Sequence, residues 1–180
     1  MTKPNQIDPY GRAHLHPGRR TATLTGNRDH KDAWIICTMD RAWRKEGRQY
    51  LRLFFLDGAT ALAAGFRPCN RCQGALRKQF SAQWGAINGG SPKVADIDTR
   101  LSRERGRLHD AIPSTLPTGA MIDVDGKPWL VVGARMHPWS FDGYGAPMSL
   151  AASARLITPP STVAVIAAGF APVLHSSVAG

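Results

Sequence analysis

The chain has 180 residues with 43% hydrophobic side chains, enough for a core, and no apolar run near the roughly 18 residues that span a bilayer. Its first 17 residues are polar and lack the apolar stretch of a signal peptide, so three cysteines are expected as reduced thiols or metal ligands in a cytoplasmic protein rather than as disulfides. The formal charge of +10 is lopsided: residues 1–80 hold 15 Lys/Arg against 6 Asp/Glu, and residues 81–180 hold 8 against 7. A field confined to one half favours a polyanionic partner, DNA or RNA.

Residues 1–24, rich in Arg, His, Gly and Pro, read as an extended basic arm around His14-Leu15-His16-Pro17-Gly18-Arg19-Arg20, and Gly26-Asn27 as a turn. Ala33–Cys37 has strand character, Arg41–Arg48 is a basic connection containing Trp43, and Tyr50–Leu56 is a short, buried apolar strand. Asp57 is placed to cap a helix over 58–64 that ends at Gly65, and Pro68 blocks its continuation. A second helix is expected from near Asn70 to Trp84, with Leu76, Phe80 and Trp84 on one stripe.

Residues 85–93 read as a linker, Asp96–Arg107 as a helix with an acidic start and basic end, and 112–119 as a loop. Met121–Val132 predicts a hairpin turning at Asp125-Gly126. Pro138–Pro147 reads as an aromatic, Gly-rich loop, and a last helix starts within 158–162 and ends at Gly169. Ala63-Ala64-Gly65-Phe66-Arg67-Pro68 is echoed by Ala167-Ala168-Gly169-Phe170-Ala171-Pro172, which is either one capping device used twice or a degenerate duplication that would bring His175 to a site. The fold class expected is α+β: a small antiparallel sheet flanked by short helices over 25–87, with a β-hairpin and helix extension over 88–180.

Cys69-Asn-Arg-Cys72 is a thiolate clamp, and Cys37 on the preceding strand supplies a third sulfur, so three of the four donors that Zn2+ takes are present. A thioredoxin-like redox pair would follow a strand, whereas this one follows a helix cap and a proline. For the fourth donor, Asp40 lies three residues after Cys37. His30 is chemically better but lies about 20 Å back if the strand is extended. His14, His16, His109 and His175 are more distant candidates.

Residues 53–73, Leu-Phe-Phe-Leu-Asp-Gly-Ala-Thr-Ala-Leu-Ala-Ala-Gly-Phe-Arg-Pro-Cys-Asn-Arg-Cys-Gln, together with Ile35-Ile36-Cys37, resemble the Ada-type metal-binding domain of methylated-DNA repair proteins. The resemblance spans about residues 25–85. It implies zinc held by cysteines, here Cys37, Cys69 and Cys72, against DNA; Asp40 is expected to complete the site by its spacing, and the basic residues around the clamp and after Cys37, namely Arg41, Arg44, Lys45, Arg48, Arg67, Arg71, Arg77 and Lys78, to contact the DNA backbone. In that family the first cysteine, matched by Cys37, accepts a methyl group from a phosphotriester. The family's second cysteine falls near Arg41 here, so a zinc-stabilised binding module is expected ahead of a Cys37 methyl acceptor. Asp96, Asp98 and Glu104 offer a nuclease alternative, but the six-residue spacing from Asp98 to Glu104 fits a solvated helix better. His137-Pro138-Trp139 and Tyr144 are either a base-stacking surface or core.

Overall fold

A computed structural model describes residues 5–15, 24–27, 32–37 and 53–179 of the chain. The fold is α+β, as the sequence led us to expect, but its sheets are larger and more mixed. The first sheet contains β1 (Asn5–Ile7), β2 (Ala13–Leu15), β3 (Leu24–Asn27), β4 (Ile35–Cys37), β5 (Leu53–Phe55) and β6 (Arg67–Pro68), in the order β2-β1-β5-β3-β4-β6. Its β1–β5 and β4–β6 pairs are parallel and the rest antiparallel. The expected basic arm therefore contributes two strands where an extended tail was expected, and Gly26-Asn27 lies inside β3, opposite Ile36 and Ile35, instead of forming a turn.

Two helices follow the sequence signals closely. In α1 (Gly58–Ala63), Asp57 sits in extended backbone and its carboxylate accepts the Thr60 N–H at 2.8 Å. At the far end Gly65 has φ +80°, the Gly65 N–H bonds to Leu62 O and the Phe66 N–H to Ala61 O. That pair of bonds is a Schellman cap, and a Cβ on Gly65 would meet Arg105 Cβ at 2.5 Å. The same construction closes α4 (Pro160–Ala167): Gly169 has φ +108°, its N–H bonds to Ile166 O, and the Phe170 N–H bonds to Val165 O. The echoed sequence is thus one capping device used twice, with Phe66 and Phe170 both buried behind their glycines.

The other helices differ from expectation at their ends. α2 spans Gly74–Asn88, starting four residues later and absorbing the first part of the expected linker; α3 spans Val94–Glu104. The C-terminal half is a full sheet rather than a hairpin extension: β7 (His109–Ala111), β8 (Met121–Val124), β9 (Lys127–Val132), β10 (Arg135–Ser140), β11 (Gly143–Tyr144), β12 (Met148–Ser149) and β13 (Ala154–Leu156). Its main path runs β11-β10-β9-β8-β13-β7, with β12 also on β10. The β8–β9 hairpin turns at Asp125 (φ +52°) and Gly126 (φ +76°), the left-handed pair that a two-residue turn requires. Residues 138–147, expected as a loop, instead supply the end of β10 and all of β11. His137 and Tyr144 are buried and Trp139 packs against the second core, so the aromatic surface reading gives way to the core one.

Helix α1 is buried on every side, and this explains its alanines. Ala61, Leu62 and Ala64 face a core with Ile7, Ile36, Phe55, Phe66, Phe80, Ile97 and Val165. Ala59 and Ala63 face a second core with Met121, Leu130, Tyr144 and Ile157. A helix between two packed layers has room only for small side chains. The first core draws on the N-terminal strands, the cysteine-bearing segment and the C-terminal helices together.

Arg67 belongs to this interior and not to an exposed face. It is 7% exposed and forms a bidentate pair with Asp98, Nε to Oδ1 at 2.5 Å and Nη2 to Oδ2 at 2.7 Å. The helix holding Asp98 is solvated on one face only, where Asp96, Thr99, Arg100 and Arg103 are exposed; Asp98 and Glu104 are both buried, and Glu104 accepts the Ser161 N–H at 2.9 Å at the start of α4. Removing one partner of a buried pair strands a charge, which costs about 3–5 kcal/mol, whereas replacing both with apolar groups is often near neutral. Urea denaturation should therefore show Arg67→Ala and Asp98→Ala each losing stability on that scale, and Arg67→Met with Asp98→Leu losing much less than the sum.

Candidate functional site

The three cysteines come from two segments, the end of β4 and the turn after β6, that the first sheet brings together. β4 runs parallel to β6, with Ile35 opposite Arg67 and Ile36 opposite Pro68, so Cys37 and Cys69 leave adjacent strands at the same end. The Ile36 carbonyl anchors the turn that follows, accepting the Cys69 N–H at 3.1 Å and the Gln73 side-chain amide at 3.3 Å. The Gln73 N–H in turn bonds to Cys69 O at 3.2 Å. Gln73 occupies the N-cap of α2 without a side-chain cap bond, because its amide is committed to β4. This explains the late start of α2: the Cys-x-x-Cys turn is a separate loop clamped to the sheet.

That turn puts Cys72 Sγ 3.4 Å from Cys37 Sγ, although the two lie 35 positions apart in the chain. Cys69 is buried and its sulfur accepts the Arg71 N–H at 3.3 Å; Cys37 and Cys72 are half-buried, and none of the three forms a disulfide. Sulfurs sharing a tetrahedral zinc at about 2.3 Å each lie roughly 3.7 Å apart, so the Cys37–Cys72 spacing and the soft donors fit such an ion. Among the described residues, no group of three or more His, Cys, Asp or Glu side chains converges as a metal cage. Asp40 and His30, the expected fourth donors, lie outside the described residues, as do Arg41, Arg44, Lys45 and Arg48.

Of the other expected contact residues, Arg71 is exposed on the cysteine turn, Lys78 is exposed on α2 and Arg77 is half-buried there. Arg67 does not join them, since its guanidinium is paired with Asp98 inside the fold.

Cys72 also lines a cleft of about 640 Å³ between the start of α2 and the segment after α4. Its walls include Ile36, Leu62, Leu76, Phe170 and Leu174, with Asp57 and His175 as polar members. Asp57 is 4% exposed and fully bonded: Oδ1 accepts the Thr60 N–H and hydroxyl, each at 2.8 Å, and Oδ2 accepts the Tyr144 hydroxyl at 3.0 Å and the His175 N–H at 3.1 Å. His175 Nδ1 receives the Ser177 N–H at 3.3 Å and lies 2.8 Å from the Ser177 hydroxyl, which places the neutral ring's proton on Nε2. The sequence offered Asp57 as a helix cap and His175 as an outsider. Its only hint that they meet is the echoed capping segment just before Leu174-His175.

Comparison with protein-family models, with curated proteins and with solved structures finds no significant match for the chain.

Burial, reinforced by the negative charge of Asp57, pushes the Tyr144 hydroxyl well above its ordinary value of 10.0. Burial and its hydrogen bond to Asp123 do the same for Tyr10. Both stay protonated in the fold at a pH where the unfolded chain ionises them, so the unfolded state binds fewer protons and stability falls as pH rises above about 10. Urea midpoints measured at pH 8 and pH 11 should fall across that interval. Tyr144→Phe should start lower, by about 1–2 kcal/mol for the lost bond to a charged acceptor, and fall less steeply.

Proposed function

We propose that the chain is a zinc-stabilised, basic nucleic-acid-binding protein of the kind its resemblance to Ada-type metal-binding domains implies, gripping the DNA backbone beside the cysteine turn. The observation that carries this reading is the 3.4 Å approach of Cys37 and Cys72 from opposite ends of a long chain segment, with Cys69 tied to the same strand. Cys37, Cys69 and Cys72 would hold the ion, with Asp40 as the fourth donor. Zinc there would keep the thiols ionised and join β4, β6 and the turn before α2. Arg71 and Lys78, exposed beside that turn, supply cations to phosphate oxygens without reading bases. Arg41, Arg44, Lys45 and Arg48 follow Cys37 directly in sequence and extend the same basic run. Arg67 is withdrawn from this set.

Elemental analysis of the purified protein should find one zinc per chain, lost together with folding in Cys69→Ser; full stability of the metal-free protein would overturn the site. Fluorescence anisotropy with a DNA duplex should show affinity falling steeply with salt, and Arg71→Ala and Lys78→Ala should each flatten the log–log slope by about 1. Affinity indifferent to salt would remove the backbone-binding reading. Incubation with methylphosphotriester DNA should leave the protein mass unchanged; a methyl gained on Cys37 would replace the binding reading with the acceptor one.

A further inference from the structure

We infer that Cys37 and Cys72 form an oxidation site, at which hydrogen peroxide closes an intramolecular disulfide while Cys69 stays reduced. The pair is selected by geometry. Cys37 and Cys72 sulfurs are 3.4 Å apart and must close by about 1.4 Å to reach the disulfide bond length of roughly 2.05 Å. Cys69 is held away from this chemistry by three restraints: its sulfur accepts the Arg71 N–H, its own N–H is fixed to Ile36 O, and its carbonyl is fixed by the Gln73 N–H. It is also buried, whereas the other two are partly open to solvent.

The order of events follows from access. Cys72 lines the 640 Å³ cleft, so a small uncharged oxidant reaches it through that opening. The Cys72 sulfur attacks one peroxide oxygen, the O–O bond breaks, and a sulfenic acid and one water result. The Cys37 sulfur then attacks the sulfenic sulfur, forming the S–S bond and releasing the second water with the remaining thiol proton. In sum, two thiols and one hydrogen peroxide give one disulfide and two waters: sulfur is oxidised and peroxide oxygen is reduced.

The cross-link would tie the end of β4 to the turn before α2 and enclose β5, α1 and β6 in one covalent loop. It would also consume two of the donors assigned above to zinc, so oxidation and metal binding exclude each other. The disulfide itself does not rest on the metal reading, because it needs only the two thiols.

The test uses the full reduced chain as purified, exposed to hydrogen peroxide, alkylated with iodoacetamide and mapped by peptide mass without reduction. The expected map has a Cys37–Cys72 linked peptide and alkylation on Cys69 alone. The link should vanish in Cys37→Ser and in Cys72→Ser. Oxidation should raise the urea midpoint by about 1 M, reversibly with dithiothreitol, because the closed loop restricts the unfolded chain. A Cys69–Cys72 link, a link between chains, or three alkylated cysteines would overturn the proposal, and the wild-type map decides this even if a variant fails to fold. A parallel arm starts from protein loaded with zinc and measures metal release on oxidation. If zinc never binds, that arm fails while the disulfide arm still reads out, so the two ideas fall separately.

Discussion

One buried carboxylate, Asp57, fixes how the two halves of the molecule meet. Its four hydrogen bonds go to the first turn of α1, to the hydroxyl of Tyr144 on β11 and to the backbone of His175 beyond α4. A buried charge is tolerable only when its lone pairs are satisfied, and the donors come from three separate parts of the chain: Thr60, Tyr144 and His175. The Gly58 N–H reinforces the same junction by bonding to Val173 O at 2.9 Å, and a Cβ on Gly58 would strike that carbonyl at 2.9 Å. The start of α1 is therefore both a helix cap and the seat on which the C-terminal segment rests. The wall of the cleft beside Cys72 is made by that seating.

A second constraint, the Arg67–Asp98 pair, works at the other end of α1. It joins β6 to α3 and so holds the strand from which Cys69 departs. With β6 fixed, the Ile36 carbonyl can clamp the cysteine turn from the other side, and Cys72 is brought onto Cys37. The thiol geometry is thus the product of backbone bonds and one buried ion pair. The same side chain that looked like a phosphate contact, Arg67, serves the site by leaving the surface.

Much of the local structure was legible because it rests on single-residue chemistry. Asp57 announces a helix start, the Gly-Phe pairs announce Schellman ends, and Asp125-Gly126 announces a tight hairpin; each depends on a conformational preference that neighbours do not alter. The misreadings share another cause. Residues 85–88 looked like linker because Gly and Ser lie just beyond, yet α2 continues to Asn88. Residues 138–147 looked like loop, yet Trp139 and Ser140 pair with Tyr144 and Gly143. In both places packing and strand pairing outweighed local propensity.

For the candidate site the division is the same. The sequence by itself determined that two thiols share one Cys-x-x-Cys turn, that cationic charge is concentrated in the half of the chain that holds the cysteines, and that a small helix precedes that turn, because spacing, charge and capping are encoded within a few residues. Only the tertiary structure decided that Cys37 meets Cys72, that Arg67 is spent on Asp98, and that Asp57 and His175 share a cleft with Cys72. These are contacts between residues 31 to 118 positions apart. No local preference specifies such contacts; they follow from burying α1 between two cores and satisfying the Asp57 carboxylate and the Arg67 guanidinium trapped there.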